Sequence, residues 1–254
     1  ALKRASLDVN HVIADEAAVR VNLMAHDANT PGRDEVSGNR WGIAPSVTFG
    51  LTTPTKVTLE YYHFENHDIP DYGIPYDQAT GRPADVDPNN FYGLLSRDFR
   101  DNNDDTASVL ISHDFNNDMQ FTSTSVYSRN TNYYIVTNPD DTTGNVANGY
   151  VWRNTKSRHS VTKTLATQLQ LAGEAKLAGF TNRFAIGTEF SNERTSNLSY
   201  TVDTGNGRNA GCNDALLANY NCTLLSKPNP HDPWVGSVTL GTDATVTETD
   251  TRAV

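Results

Sequence analysis

The chain alternates short and long gaps between patterned segments, and this rhythm constrains its fold more than any other feature. Eight segments carry alternating apolar and polar residues. The short gaps include residues 14–16 and 116–118, whereas the long gaps are polar stretches such as residues 65–104 and 192–242. Tight turns at one rim and long loops at the other are typical of an antiparallel transmembrane β-barrel. We therefore predict an all-β fold of this type, in the bacterial outer membrane.

Each patterned segment separates one apolar side from one polar side. Successive side chains of a strand point to opposite faces, so residues two apart share a face. Segment 119–128 fits this pattern poorly, because Phe121 and Val126 fall on opposite faces. We predict a convex lipid face that includes Val57, Leu59, Leu169, Phe184 and Ile186, and a concave polar face that includes Arg20, Glu60, Gln168 and Glu189.

A soluble antiparallel sheet with one dry face would show the same alternation. The loops help to separate the two folds. Loops longer than about 12–15 residues without structure of their own are uncommon in compact soluble domains. This chain has at least three such gaps. The long gaps therefore favour the barrel over the soluble sheet.

Composition excludes two broad classes of protein. Hydrophobic residues make up 37% of the chain and the mean hydropathy is −0.55. No segment approaches the ~20 consecutive apolar residues of a membrane-spanning helix. The formal net charge is −10, which argues against a nucleic-acid partner, because binding to phosphates requires clusters of Lys and Arg.

The two ends of the chain both carry strand-like runs, and residues 245–254 begin a ninth strand. A complete small barrel would pair its first and last strands, so that no sheet edge remains. We therefore expect residues 1–254 to form one partial barrel domain with about eight to nine strands of a larger barrel.

Several longer sequence motifs occur in a fixed order along these strands and loops. The two most specific are Asn-Arg-Trp-Gly-Ile-Ala-Pro-Ser at 39–46 and Pro-Asp-Tyr-Gly-Ile-Pro-Tyr at 70–76. Others lie at 4–10, 31–36, 90–94 and 229–234. With these motifs the chain resembles the TonB-dependent outer-membrane receptors, and within them the catecholate siderophore receptors of the Fiu and PiuA type. The resemblance covers essentially the whole chain.

The resemblance implies a receptor that takes up ferric siderophores. Such receptors have a barrel of about 22 strands with a plugged lumen, and a TonB box that couples the plug to the inner membrane. This sequence departs from that pattern, since it contains no plug domain and no TonB box. We expect its function to be that of the parent receptor. The implied partners are a ferric siderophore, outer-membrane lipid and, through other parts of the parent, the TonB complex.

The long loops carry the candidate ligand-binding residues. A ferric catecholate has flat aromatic faces and negative charge, so aromatic rings can stack on it and Arg can meet its charge with a planar fork of donors. The catecholate oxygens already wrap the iron, so we expect no metal ligand and no cofactor from the protein. The candidates are Tyr72, Tyr76, Tyr92, Arg97, Arg100 and Trp234. For the tyrosines, simple packing within the loop is an equally good interpretation.

Three other patterns have a plainer explanation than a metal site. His63 and His67 are four residues apart, which on a strand separates them by about 13 Å at ~3.3 Å per residue. The acidic runs at 101–105 and 140–144 lack the EF-hand pattern with its closing Glu. We interpret both runs as solvated charge.

Enzyme signatures are absent from the sequence. There is no Gly-x-Ser-x-Gly, no phosphate-binding loop and no zinc motif, so we predict that the chain is not an enzyme. A small outer-membrane barrel enzyme and a passive porin or adhesin barrel stay open as alternatives. The enzyme would need a Ser and a His in contact near the rim, and the porin would lack the sequence motifs given above.

The chain has two cysteines, Cys212 and Cys222, and both lie in the last long gap. An exported outer-membrane protein passes through the oxidising periplasm, where disulfides form and persist. We predict that the two cysteines form a disulfide bond.

Overall fold

The computed structural model describes residues 1–116, 118–204 and 211–254. Nearly all of its regular structure is strand. In chain order the strands are β1 Leu2–Ala14, β2 Ala17–Asn29, β3 Ser37–Phe49, β4 Thr55–Asp68, β5 Tyr76–Asp77, β6 Arg82–Pro83, β7 Phe99–Asn116, β8 Met119–Asp140, β9 Tyr150–Leu177, β10 Phe180–Leu198, β11 Tyr200–Asp203, β12 Cys222–Leu224, β13 Ser237–Leu240 and β14 Thr245–Ala253. The helical elements of the described residues are a 3₁₀ turn, Val146–Asn148, and one short helix, α1 Asp214–Leu217.

One antiparallel sheet contains all the long strands. Its order is β1-β2-β3-β4-β7-β8-β9-β10-β14, so strands that follow each other in the chain are also neighbours in space. The short β12 pairs with β9, while β5–β6 and β11–β13 form separate two-stranded ribbons within the loops. The eight predicted strands and the ninth strand at 245–254 are confirmed.

The connections alternate as the sequence predicts. The described short turns are residues 15–16, 50–54 and 178–179, and the predicted turn at 116–118 includes Asn117, which lies outside the described residues. In the 178–179 turn, Ala178 has φ 51° and Gly179 has φ 84°. Two successive positive φ values define a type I′ turn, whose twist matches that of the flanking strands.

The long connections meet at the opposite rim of the sheet. They comprise residues 30–36, 69–98, 141–149 and 199–244. Residues 205–210 of the predicted 192–242 loop lie outside the described residues. One rim of the sheet is therefore formed by tight turns, and the other rim is formed by the long loops.

The strand register separates the two faces. Leu59 lies opposite Val47 and Val109, and Leu169 lies opposite Thr188. On the other face, Gln168 lies opposite Glu189. Ile186 is 61% exposed and Leu59 is 42% exposed, so no second sheet packs on the apolar side of these strands. A soluble sandwich would bury these residues. The apolar face is therefore free to contact acyl chains, as in a membrane barrel.

The strands are longer than the sequence pattern indicates. β4 continues to Asp68 and β7 begins at Phe99, so both ends of the predicted 65–104 loop are strand. β8 runs on to Asp140 from its poorly patterned start. Backbone pairing continues beyond the lipid, where both faces are polar and the period-two signal disappears. Arg100 is consequently a strand residue and not a loop residue.

The buried residues of the chain lie mainly in and beneath the long loops. Leu94 is fully buried, and Phe91, Ile135 and Val151 are at most 2% exposed. The membrane-level strands contribute little to this core. Among the described residues, no helix has the length and apolar character needed to cross a membrane.

The predicted disulfide is confirmed. Cys212 and Cys222 are bonded, with their Cα atoms 5.8 Å apart. Cys222 lies in β12, opposite Trp152 of β9, and the Cys212 N–H donates to Asn145 Oδ1 at 2.7 Å. The bond therefore fixes the last long loop against the top of β9.

We predict that replacing both cysteines by Ser loosens this loop and leaves the barrel folded. A sequence separation of 10 corresponds to a chain-entropy contribution of about 2–3 kcal/mol, confined to the loop. Limited proteolysis of the full-length protein should cleave the variant faster in the last long loop. Heat-modifiable gel mobility should report an intact barrel, and a variant barrel that no longer folds would contradict the local role.

A second prediction tests the assignment of faces. Leu169→Arg places a charge near the middle of the apolar face and should destabilise the bilayer-inserted protein by about 2–4 kcal/mol. Gln168→Arg is the matched control, because its side chain points to the polar face and should change stability little. Denaturant unfolding in lipid vesicles measures both free energies. Equal losses for the two variants would refute the division of faces.

Candidate functional site

A row of cross-strand neighbours on the polar face crosses the sheet near the long-loop rim. Asp68 of β4 lies opposite Arg100 of β7, Arg100 lies opposite Tyr134 of β8, and Tyr134 lies opposite Arg158 of β9. All four share the face of Gln168, because each is an even number of residues from a polar-face position on its own strand. Directly opposed residues have Cβ atoms about 4.5–5.5 Å apart, so the row is continuous.

A large cavity opens above this row. Its volume is about 1270 Å³. The loop residues 69–72 and the 30–36 connection form its other walls. The charged and aromatic residues that line it include Arg33, Arg40, Arg100, Arg158, Tyr72 and Tyr134. Four guanidinium groups face two carboxylates, those of Asp68 and Asp71, so the cavity is cationic in a chain of negative net charge.

One of the four guanidiniums organises the loop. Arg33 donates through Nε to Asp71 Oδ2 at 2.6 Å and through Nη2 to Asp71 Oδ1 at 2.8 Å. The Gly73 N–H also donates to Asp71, at 2.8 Å. This two-pronged pair joins the β2–β3 connection to the β4–β7 loop and thereby fixes the backbone on either side of Tyr72.

The other three guanidiniums are available to a ligand. Within residues 1–116, 118–204 and 211–254, Arg40, Arg100 and Arg158 form no ion pair. The Nε of Arg40 is buried without a hydrogen-bond partner, while Arg100 and Arg158 are exposed. Charge-assisted bonds from Arg to planar anions are among the stronger hydrogen bonds in proteins. The cavity therefore offers several unused donors to an anion.

Two tyrosines supply ring surface to the same cavity. Tyr72 is 51% exposed, and Tyr134 lies between Arg100 and Arg158 in the row. A flat aromatic ligand could stack on either ring while its charge meets the neighbouring guanidiniums. Tyr72 and Arg100 are the two sequence-predicted residues that the structure brings together here.

Tyr92 and Arg97 lie inside the loop assembly and not on its surface. Tyr92 is 1% exposed, and its hydroxyl donates to the Leu225 carbonyl at 2.8 Å. Burial raises the pKa of Tyr92. Arg97 donates to Asp98 Oδ1 at 2.8 Å, and both side chains are completely buried. The sequence motif around Tyr92 gave no sign of burial, because Gly- and Pro-containing loops are usually exposed.

Trp234 is half-buried and packs against this cluster. The Arg97 guanidinium carbon lies 5.1 Å from the centre of the Trp234 ring, within the range of a cation–π contact. The Leu95 N–H also donates to the Pro230 carbonyl at 3.0 Å. Trp234, the aromatic residue predicted for the last long loop, thus packs against Arg97 of the 69–98 loop.

Arg153 joins the 69–98 loop to the 199–244 loop. It is fully buried, and it donates to the carbonyls of Tyr92, Tyr220 and Asn229 at 2.7–3.1 Å. It also forms an ion pair with Asp232 at 2.9 Å. Burial lowers the pKa of Arg153, and its bond to Asp232 opposes that shift. Sequence reasoning missed this residue.

Tyr76 belongs neither to the cavity nor to the cluster around Tyr92 and Arg97. It begins β5 in the short loop ribbon and is 55% exposed, and it does not line the cavity above the arginine row. Among the arginines and tyrosines of the cavity, the sequence interpretation did not single out Arg33, Arg40, Arg158 and Tyr134. Extending the strand register past the patterned segments would have aligned Tyr134 and Arg158 with Arg100.

The two histidines that were considered for metal binding each have a carboxylate partner. His63 Nδ1 lies 2.8 Å from Asp105 Oδ1, and His67 Nδ1 lies 2.8 Å from Asp101 Oδ1. In the part of the chain that the structure describes, no three His, Cys, Asp or Glu side chains are grouped to hold a metal ion.

Comparison with known proteins gives several close matches. No family model matches the chain. The sequence is 36% identical over 238 residues to the probable TonB-dependent siderophore receptor PiuA of Acinetobacter baumannii, and 34% identical over 215 residues to the catecholate siderophore receptor Fiu of Escherichia coli K12. These alignments cover 89% and 77% of this chain, but 32% and 28% of the relatives. The chain thus spans about a third of the length of the curated relatives it matches.

The fold comparison agrees with the sequence comparison. The crystal structure of the siderophore receptor PiuA from Acinetobacter baumannii superimposes with a TM-score of 0.85 at 31% identity, over 99% of this chain and 38% of that one. The antiparallel sheet therefore corresponds to part of an outer-membrane receptor barrel. The chain belongs to the TonB-dependent receptors of the bacterial outer membrane, and among them to the PiuA and Fiu type.

Proposed function

We propose that this chain forms part of the barrel of a receptor that takes up ferric catecholate siderophores, and that the cavity above the arginine row helps to capture the ligand. The observation that carries the proposal is the set of three guanidiniums without an ion pair among the described residues, on the wall of one cavity with Tyr72 and Tyr134. The printed names of the relatives, a siderophore receptor and a catecholate siderophore receptor, support the choice of ligand.

The chemistry of the ligand fits these groups. A ferric catecholate complex is anionic and presents flat rings, so guanidinium forks and tyrosine faces complement it. Its iron is enclosed by catecholate oxygens and needs no ligand from the protein. The proposed contacts are accordingly hydrogen bonds, charge attraction and stacking, with the ferric siderophore as cargo and not as a cofactor.

Local charge must overcome the acidity of the whole chain. The formal net charge of −10 repels an anion at long range. At physiological ionic strength the Debye length is about 8 Å, so distant exposed charges are largely screened. Arg100 and Arg158 flank Tyr134, so an anion bound at this ring lies within that screening distance of both guanidiniums. These two cations therefore dominate the potential that the bound anion experiences.

The remaining partners follow from the same proposal. The apolar face contacts outer-membrane lipid, and we place the interaction with the TonB complex in parts of the full-length receptor outside residues 1–254. The printed names of the relatives favour a receptor over a porin or adhesin barrel. The matched relatives are receptors and not enzymes, and the lack of catalytic activity in this chain stays a prediction.

We predict that the double variant Tyr72→Ala/Arg100→Gln of the full-length receptor binds ferric catecholate at least about tenfold more weakly, a loss of 1.4 kcal/mol or more. A single hydrogen bond to a charged group contributes about 1.5–3 kcal/mol, so this is a conservative magnitude. Fluorescence quenching with a ferric catecholate measures the dissociation constant. Growth on that iron source measures uptake.

The matched control is Tyr76→Ala/Arg82→Gln. It removes one exposed tyrosine and one exposed arginine from the same loop, away from the cavity. We expect it to bind like the unchanged receptor. Equal affinities for the cavity variant and the control would show that the cavity is not the capture site.

A further prediction separates the structural role of Arg153, which joins the two long loops, from the role of the binding residues. Arg153→Gln removes the cation that joins the two long loops and leaves Asp232 without its ion pair, which for a buried pair costs about 3–5 kcal/mol. Limited proteolysis should therefore cleave both loops of the variant faster. Tyr72→Ala/Arg100→Gln should show unchanged proteolysis. An Arg153→Gln receptor that resists the protease as well as the unchanged receptor does would contradict the role of Arg153 in joining the loops.

A further inference from the structure

The polar-face row that contains Arg100 continues past Asp68 across the first three strands. Asp68 lies opposite Gly38 of β3, which lies opposite Ala28 of β2. Ala28 in turn lies opposite Leu2 of β1. All of these residues line the large cavity. Its floor therefore has a cationic half on β7–β9 and a second half on β1–β3 whose row residues carry no charge.

Aliphatic and proline side chains form the walls of this second half, which we call the neutral half. Val36 of the 30–36 connection is 8% exposed, and Ile69 and Pro70 follow directly after β4. None of these side chains has a hydrogen-bonding group. The apolar residues that line the neutral half include Leu2, Ala28, Pro31, Val36, Ile69 and Pro70.

The charged groups beside the neutral half offset one another. Arg33 is held by both oxygens of Asp71, at 2.6 and 2.8 Å. A Cβ atom on Gly38 would lie 2.5 Å from Asp68 Oδ1 and 3.2 Å from Arg40 Nη2, so this carboxylate and this guanidinium border the same point. Opposite charges that lie side by side largely cancel at longer distance. The neutral half therefore adds little net charge to the cavity.

The excess positive charge is concentrated in the cationic half. Arg100 and Arg158 form no ion pair within the described residues, and they lie on either side of Tyr134. Adjacent strands are about 4.8 Å apart, so strands β7–β9 cover about 10 Å of floor and strands β2–β4 cover about 10 Å more. The floor thus has room for an anionic complex and for an uncharged group beside it.

Apolar walls favour an apolar occupant, because contact removes apolar surface of both partners from water. The gain is roughly fourfold in binding for each buried methylene group. An ionised group would lose hydration at the same walls without gaining a partner. Binding pockets commonly combine such walls with a few polar groups that fix the orientation of the ligand, and here the polar groups lie at one end.

We infer that the neutral half is a subsite for an aliphatic substituent of the ligand, next to the ferric catecholate that the cationic half holds. The inference rests on the proposed capture of a ferric catecholate in this cavity. It adds that the receptor discriminates among such complexes by the uncharged group that they carry.

The test measures dissociation constants of the purified full-length receptor by fluorescence quenching. The probes are two ferric catecholamides of equal charge, one with N-methyl and one with N-butyl groups. The N-butyl complex should bind at least about tenfold more tightly, because further methylene groups become buried. Equal dissociation constants for the two complexes would overturn the inference and leave the capture proposal standing. Binding of neither complex would refute the capture proposal, and the subsite with it.

Charged chains of similar length test the choice of substituent. Ferric catecholamides whose chain ends in an ammonium or a carboxylate should bind no more tightly than the N-methyl complex. If either of them bound more tightly than the N-butyl complex, the subsite would be ionic and the inference would be wrong.

A pair of variants locates the preference. Leu2→Asn/Ile69→Asn replaces two aliphatic walls by polar side chains, and its preference for the N-butyl complex should fall to about twofold or less. The matched control Leu224→Asn/Val235→Asn changes two exposed aliphatic side chains of the last long loop, away from the cavity, and should keep the full preference. A full preference in the Leu2→Asn/Ile69→Asn receptor would show that the neutral half is not the subsite.

Two further measurements guard the result. Heat-modifiable gel mobility reports whether the variant barrel folds, and Ile69→Asn alone replaces the double variant if it does not, with an expected drop in preference of about threefold. Tyr72→Ala/Arg100→Gln should weaken both complexes by a similar factor and retain the N-butyl preference. Loss of that preference in Tyr72→Ala/Arg100→Gln would assign it to the cationic half and contradict a separate subsite.

Discussion

The continuous antiparallel ladder is the constraint on which the rest of this structure depends. Inside a lipid bilayer no water satisfies backbone N–H and C=O groups, so a spanning sheet must pair each strand with its neighbours. Here consecutive long strands are all spatial neighbours, from β1 to β10. Once this register is set, it determines which side chains face lipid and which face the interior, because a shift of one residue would exchange the two faces.

The same ladder continues beyond the lipid and becomes a scaffold for the loops. Above the membrane the strands carry polar residues on both faces, and their pairing aligns Arg100, Tyr134 and Arg158 on one side. Their opposite faces at nearby levels carry Arg129, Lys163 and Arg194. A single register thus separates two cationic surfaces. The first row lines the cavity beneath the loops, and the second lies on the apolar side of the sheet.

The long loops owe their order to buried polar contacts and not to regular structure. Arg153 donates to three carbonyls and one carboxylate, and the Arg97–Asp98 pair lies beside Trp234. Removing a partner from such a network leaves a buried charge unsatisfied, which is more costly than losing an exposed pair. Beside Tyr72, the Arg33–Asp71 pair has the same role, although the described residues of these loops form only short ribbons and short helical turns.

The sequence by itself determined the strand order, the two faces and the disulfide, because alternation, turn length and the pairing of two cysteines are local signals. It also singled out Tyr72 and Arg100, which the structure places in the wall of one cavity. Only the tertiary structure decided that Tyr92 and Arg97 are buried, that Trp234 packs on Arg97, and that Arg40 and Arg158 join Arg100. The physical reason is that burial in a loop depends on which distant segment covers it. Contacts such as that of Tyr92 with Leu225, 133 residues away in the chain, leave no periodic trace in the sequence.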